Sequence, residues 1–314
     1  MFSLRKNKYK SSQHNNINTP LITEDIDNEA SIASRVRELE IKSKRLTNHM
    51  FSGEYHSAFK GRGMAFKEVR EYQPGDDIRF IEWNVSARMG HAYSKLFEEE
   101  RELSVYLLID TSASNLFGTY KQSKKDLITE ISAAIAFSAV SNNDKISTIL
   151  FSDRIEKYVP AKKGRQHVLR IVRELLSFNP QSGKTDLERA LRFLSSTAKH
   201  KSIVFILSDF VADSYDQALG VAAKKHDVIG IQVFDRMDMQ LPRIGLVEIS
   251  DPESGDHFLF DSNNKNARLR YSKQFDEITA QARSQFKKVG ADLLQIETGQ
   301  DFVGILQQFF IKRK

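Results

Sequence analysis

Between residues 103 and 312 the spacing of apolar positions switches repeatedly between strand-like runs and helical periods. LSVYLLID is a near-continuous apolar run ending on Asp110, the pattern of a strand buried on both faces. SKKDLITEISAAIAFSAVSNN reads as a helix, KISTILFSD as a second buried strand and IEKYVPA as a short edge strand. Two helical stretches follow, RQHVLRIVRELLSF and TDLERALRFLSSTA, separated by the loop NPQSGK. Strand SIVFILSDF, helix SYDQALGVAAKKH and strand DVIGIQVFD continue the alternation. A hairpin in GLVEISDPESGDHFLFD, a long helix from about Ala267 to Val289, strand ADLLQIE and a terminal helix complete it. Strands alternating with helices specify a mostly parallel sheet covered on both faces, so the expected fold is α/β and doubly wound over 101–314.

The upstream third has a different grain. Residues 1–24 are polar and read as a disordered tail. Residues 25–52 place Ile32, Val36, Leu39, Leu46 and Met50 on one stripe of an amphipathic helix interrupted at Ser43, a helix expected to pack on its own body. Residues 53–100 are punctuated by Gly53, Gly61, Gly63, Gly75 and Gly90 around MAFKEVREY and IRFIEW, and read as a small β-rich module. Its Arg62, Arg70, Arg79 and Arg88, with Asp76, Asp77 and Glu82, are expected to fasten that module to the main domain, with Trp83 as packing anchor.

The net charge of +6 points to polyanions until its distribution is considered. Arg5, Lys6, Lys8, Lys10, Lys312, Arg313 and Lys314 sit at the ends; without these seven of the 47 basic residues, 40 face 41 acidic ones. The body carries no nucleic-acid footprint, and basic tails of this length are expected to be solvated termini, with polyanion binding through them the lesser reading. The absence of cysteine removes disulfides and thiolate metal sites and fits a reducing, cytoplasmic setting. ISAAIAFSAV, the longest nearly apolar run, is half the length of a membrane span.

In a doubly wound sheet, ligands collect beyond the carboxyl ends of the strands where strand order reverses. Two strands end there in a carboxylate, at Asp110 and Asp209, and they meet if the first and fourth strands of the domain are neighbours. Ser112 and Ser114 follow Asp110 at alternate positions, and Thr185 enters the next helix from the 179–186 loop. All five are hard oxygen donors, which suits Mg²⁺, with Mn²⁺ or Ca²⁺ as alternatives, better than zinc or copper. Hydroxyls that ligate directly, with carboxylates holding waters, leave the ion short of negative charge and ready to take a carboxylate from elsewhere.

Asp110-x-Ser112-x-Ser114 with Thr185 and Asp209 resembles the metal-ion-dependent adhesion site of von Willebrand factor A domains. The resemblance implies that Ser112, Ser114 and Thr185 coordinate a divalent cation, that Asp110 and Asp209 act largely through water, and that a protein partner's acidic residue completes the shell. GRGMAFKEVREYQPGDDIRFIEWNVSAR followed by FEEERELSVYLLIDTSAS is similar to the signature of domain-of-unknown-function family 58, whose members are related to von Willebrand A domains. Glu82 stands before Trp83 where the family usually has Asp. That resemblance implies a non-enzymatic protein associated with MoxR-type AAA+ ATPases, which act as chaperones in maturing or assembling other proteins.

Competing chemistries are less well supplied. GKT at 183–185 lacks the first glycine of a P-loop, where Phe178 stands, and GRGMAF lacks the third glycine and the helix of a dinucleotide fingerprint. A Mg²⁺-dependent phosphohydrolase using Asp110 as nucleophile is the main rival. Haloacid-dehalogenase-like enzymes place a general acid two residues after that nucleophile, and here Ser112 occupies the position. None of the eight histidines lies in a nucleophile–base motif.

Overall fold

The computed structural model describes residues 3–4, 31–43, 64–99, 103–118, 122–250 and 257–313. Leu46, Met50, Arg62, the glycines at 53, 61 and 63, most of the 1–24 tail and the basic residues 5–10 and 314 lie outside the described residues. In chain order the elements are β1 (Ser3–Leu4), α1 (31–43), β2 (Met64–Glu71), α2 (Trp83–Met89), β3 (Tyr93–Glu99), β4 (Ser104–Asp110) and α3 (Lys124–Ser141). Next come β5 (Lys145–Phe151), β6 (Ile155–Lys162), α4 (Arg165–Ser177), α5 (Leu187–Thr197), β7 (Ile203–Ser208), α6 (Asp216–Lys225) and β8 (Asp227–Phe234). The short turn α7 (Arg236–Met239), β9 (Leu246–Ser250), β10 (His257–Asp261), α8 (Lys265–Lys288), β11 (Asp292–Glu297) and α9 (Phe302–Lys312) follow.

Six strands form the central sheet in the order β11-β8-β7-β4-β5-β6, all parallel except the edge strand β6. The chain winds from β4 outward through β5, then returns to β7 on the other side of β4, so strand order reverses between β4 and β7. Alternation along β4 explains the two-layer core. Val105, Leu107 and Ile109 face one layer, with α3, α4 and α9, while Tyr106 and Leu108 face the other, with α5, α6 and α8. Truncating one such side chain to alanine costs about 2–5 kcal/mol. Helix α3 is buried almost all round because the sheet lies on one side of it and α1 on another; Val36 and Leu39 of α1 join the first layer. Ion pairs Arg35–Asp126, Lys42–Glu130 and Arg165–Glu40 flank that contact. In β8, a side chain at Gly230 would put its Cβ 2.6 Å from the Phe286 ring, so glycine lets α8 lie close on the sheet.

Upstream, within the described residues 64–99, β2 and β3 make a two-stranded antiparallel hairpin with α2 between them. Among the described residues the module's ion pairs are internal, Arg70–Asp76, Arg79–Asp77 and Lys95–Glu82, rather than ties to the main domain. Trp83 is 71% exposed and starts α2, which overturns its expected role as packing anchor. Among the described residues α2 buries none of its side chains, so that helix offers no core for an anchor. Within the expected tail, β1 pairs antiparallel with β9, itself paired to β10 in the hairpin expected there.

Candidate metal centre

Asp110 closes β4 and is 2% exposed. Its Oδ1 accepts the Ser112 backbone N–H at 2.9 Å, and its Oδ2 accepts the Ser208 hydroxyl at 2.6 Å. The second bond joins the ends of β4 and β7 across the reversal point. The loop after Asp110 is fixed from both sides. Asn115 Nδ2 donates to the Asp110 carbonyl at 3.1 Å, Thr111 N donates to the Phe151 carbonyl at 2.8 Å, and Ala113 N donates to the Gly183 carbonyl at 3.1 Å. The last bond brings the loop carrying Thr185 against the loop carrying the serines.

Ser112 and Ser114 are buried with their Oγ atoms 3.1 Å apart, so both hydroxyls occupy one small volume. Thr185 Oγ1 is buried with no hydrogen-bond partner, an orphaned acceptor of the kind that a cation or a cation-bound water satisfies. Asp209 follows β7, and its Oδ1 accepts the Val211 N–H at 3.1 Å. Its Oδ2 lies 3.3 Å from Lys124 Nζ, and that ammonium also lies 3.2 Å from Asp238 Oδ2 on α7. Lys124 is fully buried, as nearly are both acids. Phe210, next to Asp209, has φ 59°, an unfavourable left-handed conformation for a bulky residue. Packing against Phe286 and Tyr215 holds it there.

The electrostatics follow from burial. Burial first, and the Asp209 charge beside it second, push Asp110 up to about 6, against the opposing hydrogen bonds from Ser208 and Ser112. Burial also raises Asp238, partly offset by Lys124. For Lys124, burial disfavours the ammonium, but Asp209 and Asp238 outweigh it and hold its pKa above the ordinary value. A cation beside Asp110 would relieve the crowding of its charge with that of Asp209.

The donor set fits a hard divalent cation. Four carboxylate oxygens, two from Asp110 and two from Asp209, already engage the protein. Of the three hydroxyls, those of Ser112 and Ser114 bond each other, Ser112 Oγ also accepts from Asn115 Nδ2 at 3.3 Å, and Thr185 Oγ1 has no partner. Such a centre is made mainly of hydroxyls; among the described residues no cluster of three or more His, Cys, Asp or Glu side chains is placed to hold a metal. Sequence reasoning missed Ser208, Asn115, Asp238 and Lys124. Ser208 stands immediately before Asp209 in FILSD, a visible signal, but Lys124 in SKKD looks like any solvated lysine at a helix start.

The family described as "Protein of unknown function DUF58" matches residues 68–281. An uncharacterized protein of Mycobacterium tuberculosis (strain ATCC 25618 / H37Rv) is 30% identical over 293 residues, covering 92% of each chain. Among solved structures, the conserved hypothetical protein BatB from Bacteroides thetaiotaomicron is similar over 67% of this chain and 98% of its own, at 14% identity and a TM-score of 0.46. An aerotolerance-related membrane protein from Bacteroides fragilis is similar over 67% and 99%, at 13% identity and a TM-score of 0.49.

Proposed function

This chain belongs to the DUF58 family, and we propose that it is a non-enzymatic protein–protein interaction module that grips an acidic residue of a partner through a divalent cation, Mg²⁺ first among the candidates. Ser112, Ser114 and Thr185 hold the ion directly, Asp110 and Asp209 hold its waters, and the partner's carboxylate takes the remaining position. The observation that supports this reading is the sorting of donors: both carboxylates have their oxygens engaged by the protein, while the Ser112 and Ser114 hydroxyls meet and the buried Thr185 hydroxyl, on the loop bonded to theirs, lacks a partner. A centre ligated mostly by neutral oxygens leaves the ion electrophilic. The partner class that the family resemblance implies is a MoxR-type AAA+ ATPase.

Affinity capture with the full chain and with Asp110→Ala, each in Mg²⁺ and in chelator, tests it. Capture of an ATPase of that class only by the wild-type chain in Mg²⁺ is the expected result. Equal capture in all four conditions overturns the mechanism. Asp110-dependent turnover of a generic phosphate ester would instead support the phosphohydrolase.

A further inference from the structure

Lys124 needs an explanation that the donor set alone does not give. A fully buried ammonium is costly unless it is paired, and one carboxylate suffices for pairing. Here it bridges two, Asp209 at 3.3 Å and Asp238 at 3.2 Å, which come from the loop after β7 and from the short turn α7 that follows β8. It therefore takes one oxygen of Asp209, and the Val211 N–H takes the other.

We propose that Lys124, anchored by Asp238, is a positioning residue that competes with the bound cation for Asp209 and so keeps that carboxylate out of direct coordination. The inference rests on the cation reading above. An acid free to turn would replace a water on the ion and donate a full negative charge to it. Held by the ammonium, it can only accept a hydrogen bond from a coordinated water through its remaining lone pairs. Lys124 thus sets how much charge the protein itself gives the ion, and hence how strongly the ion seeks an outside carboxylate. A triad that merely pinned α7 to the first turn of α3 would matter for stability and leave the ion's coordination untouched.

Lys124→Met alone leaves two buried acids facing each other, so the test uses Lys124→Met combined with Asp238→Asn, which removes one positive and one negative charge together. Mn²⁺ is the probe, because its binding and the number of waters it carries are both read from solvent-proton relaxation. The double variant should bind Mn²⁺ roughly tenfold tighter, the order expected for gaining a nearby carboxylate, with one coordinated water fewer. Adding Asp209→Asn on that background should restore the wild-type water count. Unchanged affinity and water count in the double variant, with only thermal stability altered, overturn the proposal. Wild-type protein that binds Mn²⁺ no better than Asp110→Ala overturns the cation reading itself.

Discussion

The two ends of the central sheet treat charge in opposite ways. At the carboxyl end Asp110, Asp209, Asp235 and Asp238 are buried, and hydrogen bonds or the Lys124 ammonium hold each in place. At the amino end, the loops and helix ends preceding β7, β8 and β11 carry Lys199, Lys201, Lys224, Lys225, Lys287 and Lys288, all exposed. Asp227 and Asp292, which open β8 and β11, share Arg313. A body whose charges nearly cancel thus keeps four acids dry at one end and six lysines solvated at the other, with the buried Asp144 before β5, which accepts the Leu103 N–H at 2.9 Å, as the exception at the amino end. Buried charges survive only with fixed partners, so the carboxyl end is the more specified and the more sensitive to change.

Substitutions can break that contrast. The largest effect belongs to Lys124→Ala, which strands Asp209 and Asp238. Denaturant unfolding in metal-free buffer should show a loss of about 3–5 kcal/mol, and a loss under about 1 kcal/mol would mean that the carboxyl end tolerates charge as the amino end does. Ser208→Ala removes the hydroxyl that donates to Asp110 at 2.6 Å; a loss of about 1.5–3 kcal/mol is expected by the same measurement.

His226 sharpens the contrast from within the lysine-rich end. Burial, and then the neighbouring Lys225 charge, lower its pKa to about 4 from 6.5. The unfolded chain binds the proton first, so the His226 contribution is complete above about 6.5 and is lost as pH falls through the window down to about 4. Unfolding free energies measured at pH 7 and pH 5 should fall less in His226→Leu than in wild type; equal slopes would remove His226 from the account. The smallest effect is expected for Lys201→Gln, within about 0.5 kcal/mol and with no change in Mn²⁺ affinity.

Much of this organisation is legible along the chain. The apolar run ending in Asp110 and the run FILS before Asp209 mark two buried strands, because a strand covered on both faces is apolar at successive positions and these runs are too short for a buried helix. Their adjacency in the sheet is the expected one, and the Thr185 loop does reach the serine loop. The upstream module was harder to read. Trp83 looks like an anchor by residue type, yet it is exposed, as are Ile78 and Met89, because whether a large apolar residue finds a surface to cover it is no property of its own segment.

The sequence by itself determined the alternating strands and helices of 103–312, their order and the placing of an acid at the mouth of two strands, since periodicity and burial of a continuous run are local patterns; it did not show β1 or α2. Only the tertiary structure decided which groups pair. Ser208 meets Asp110 across 98 positions and Lys124 meets Asp209 across 85. Nothing local distinguishes Lys124 from Lys125 beside it. One is buried among acids and the other bonds the Phe178 carbonyl, because the helix presents successive residues in different directions and the sheet lies on only one side.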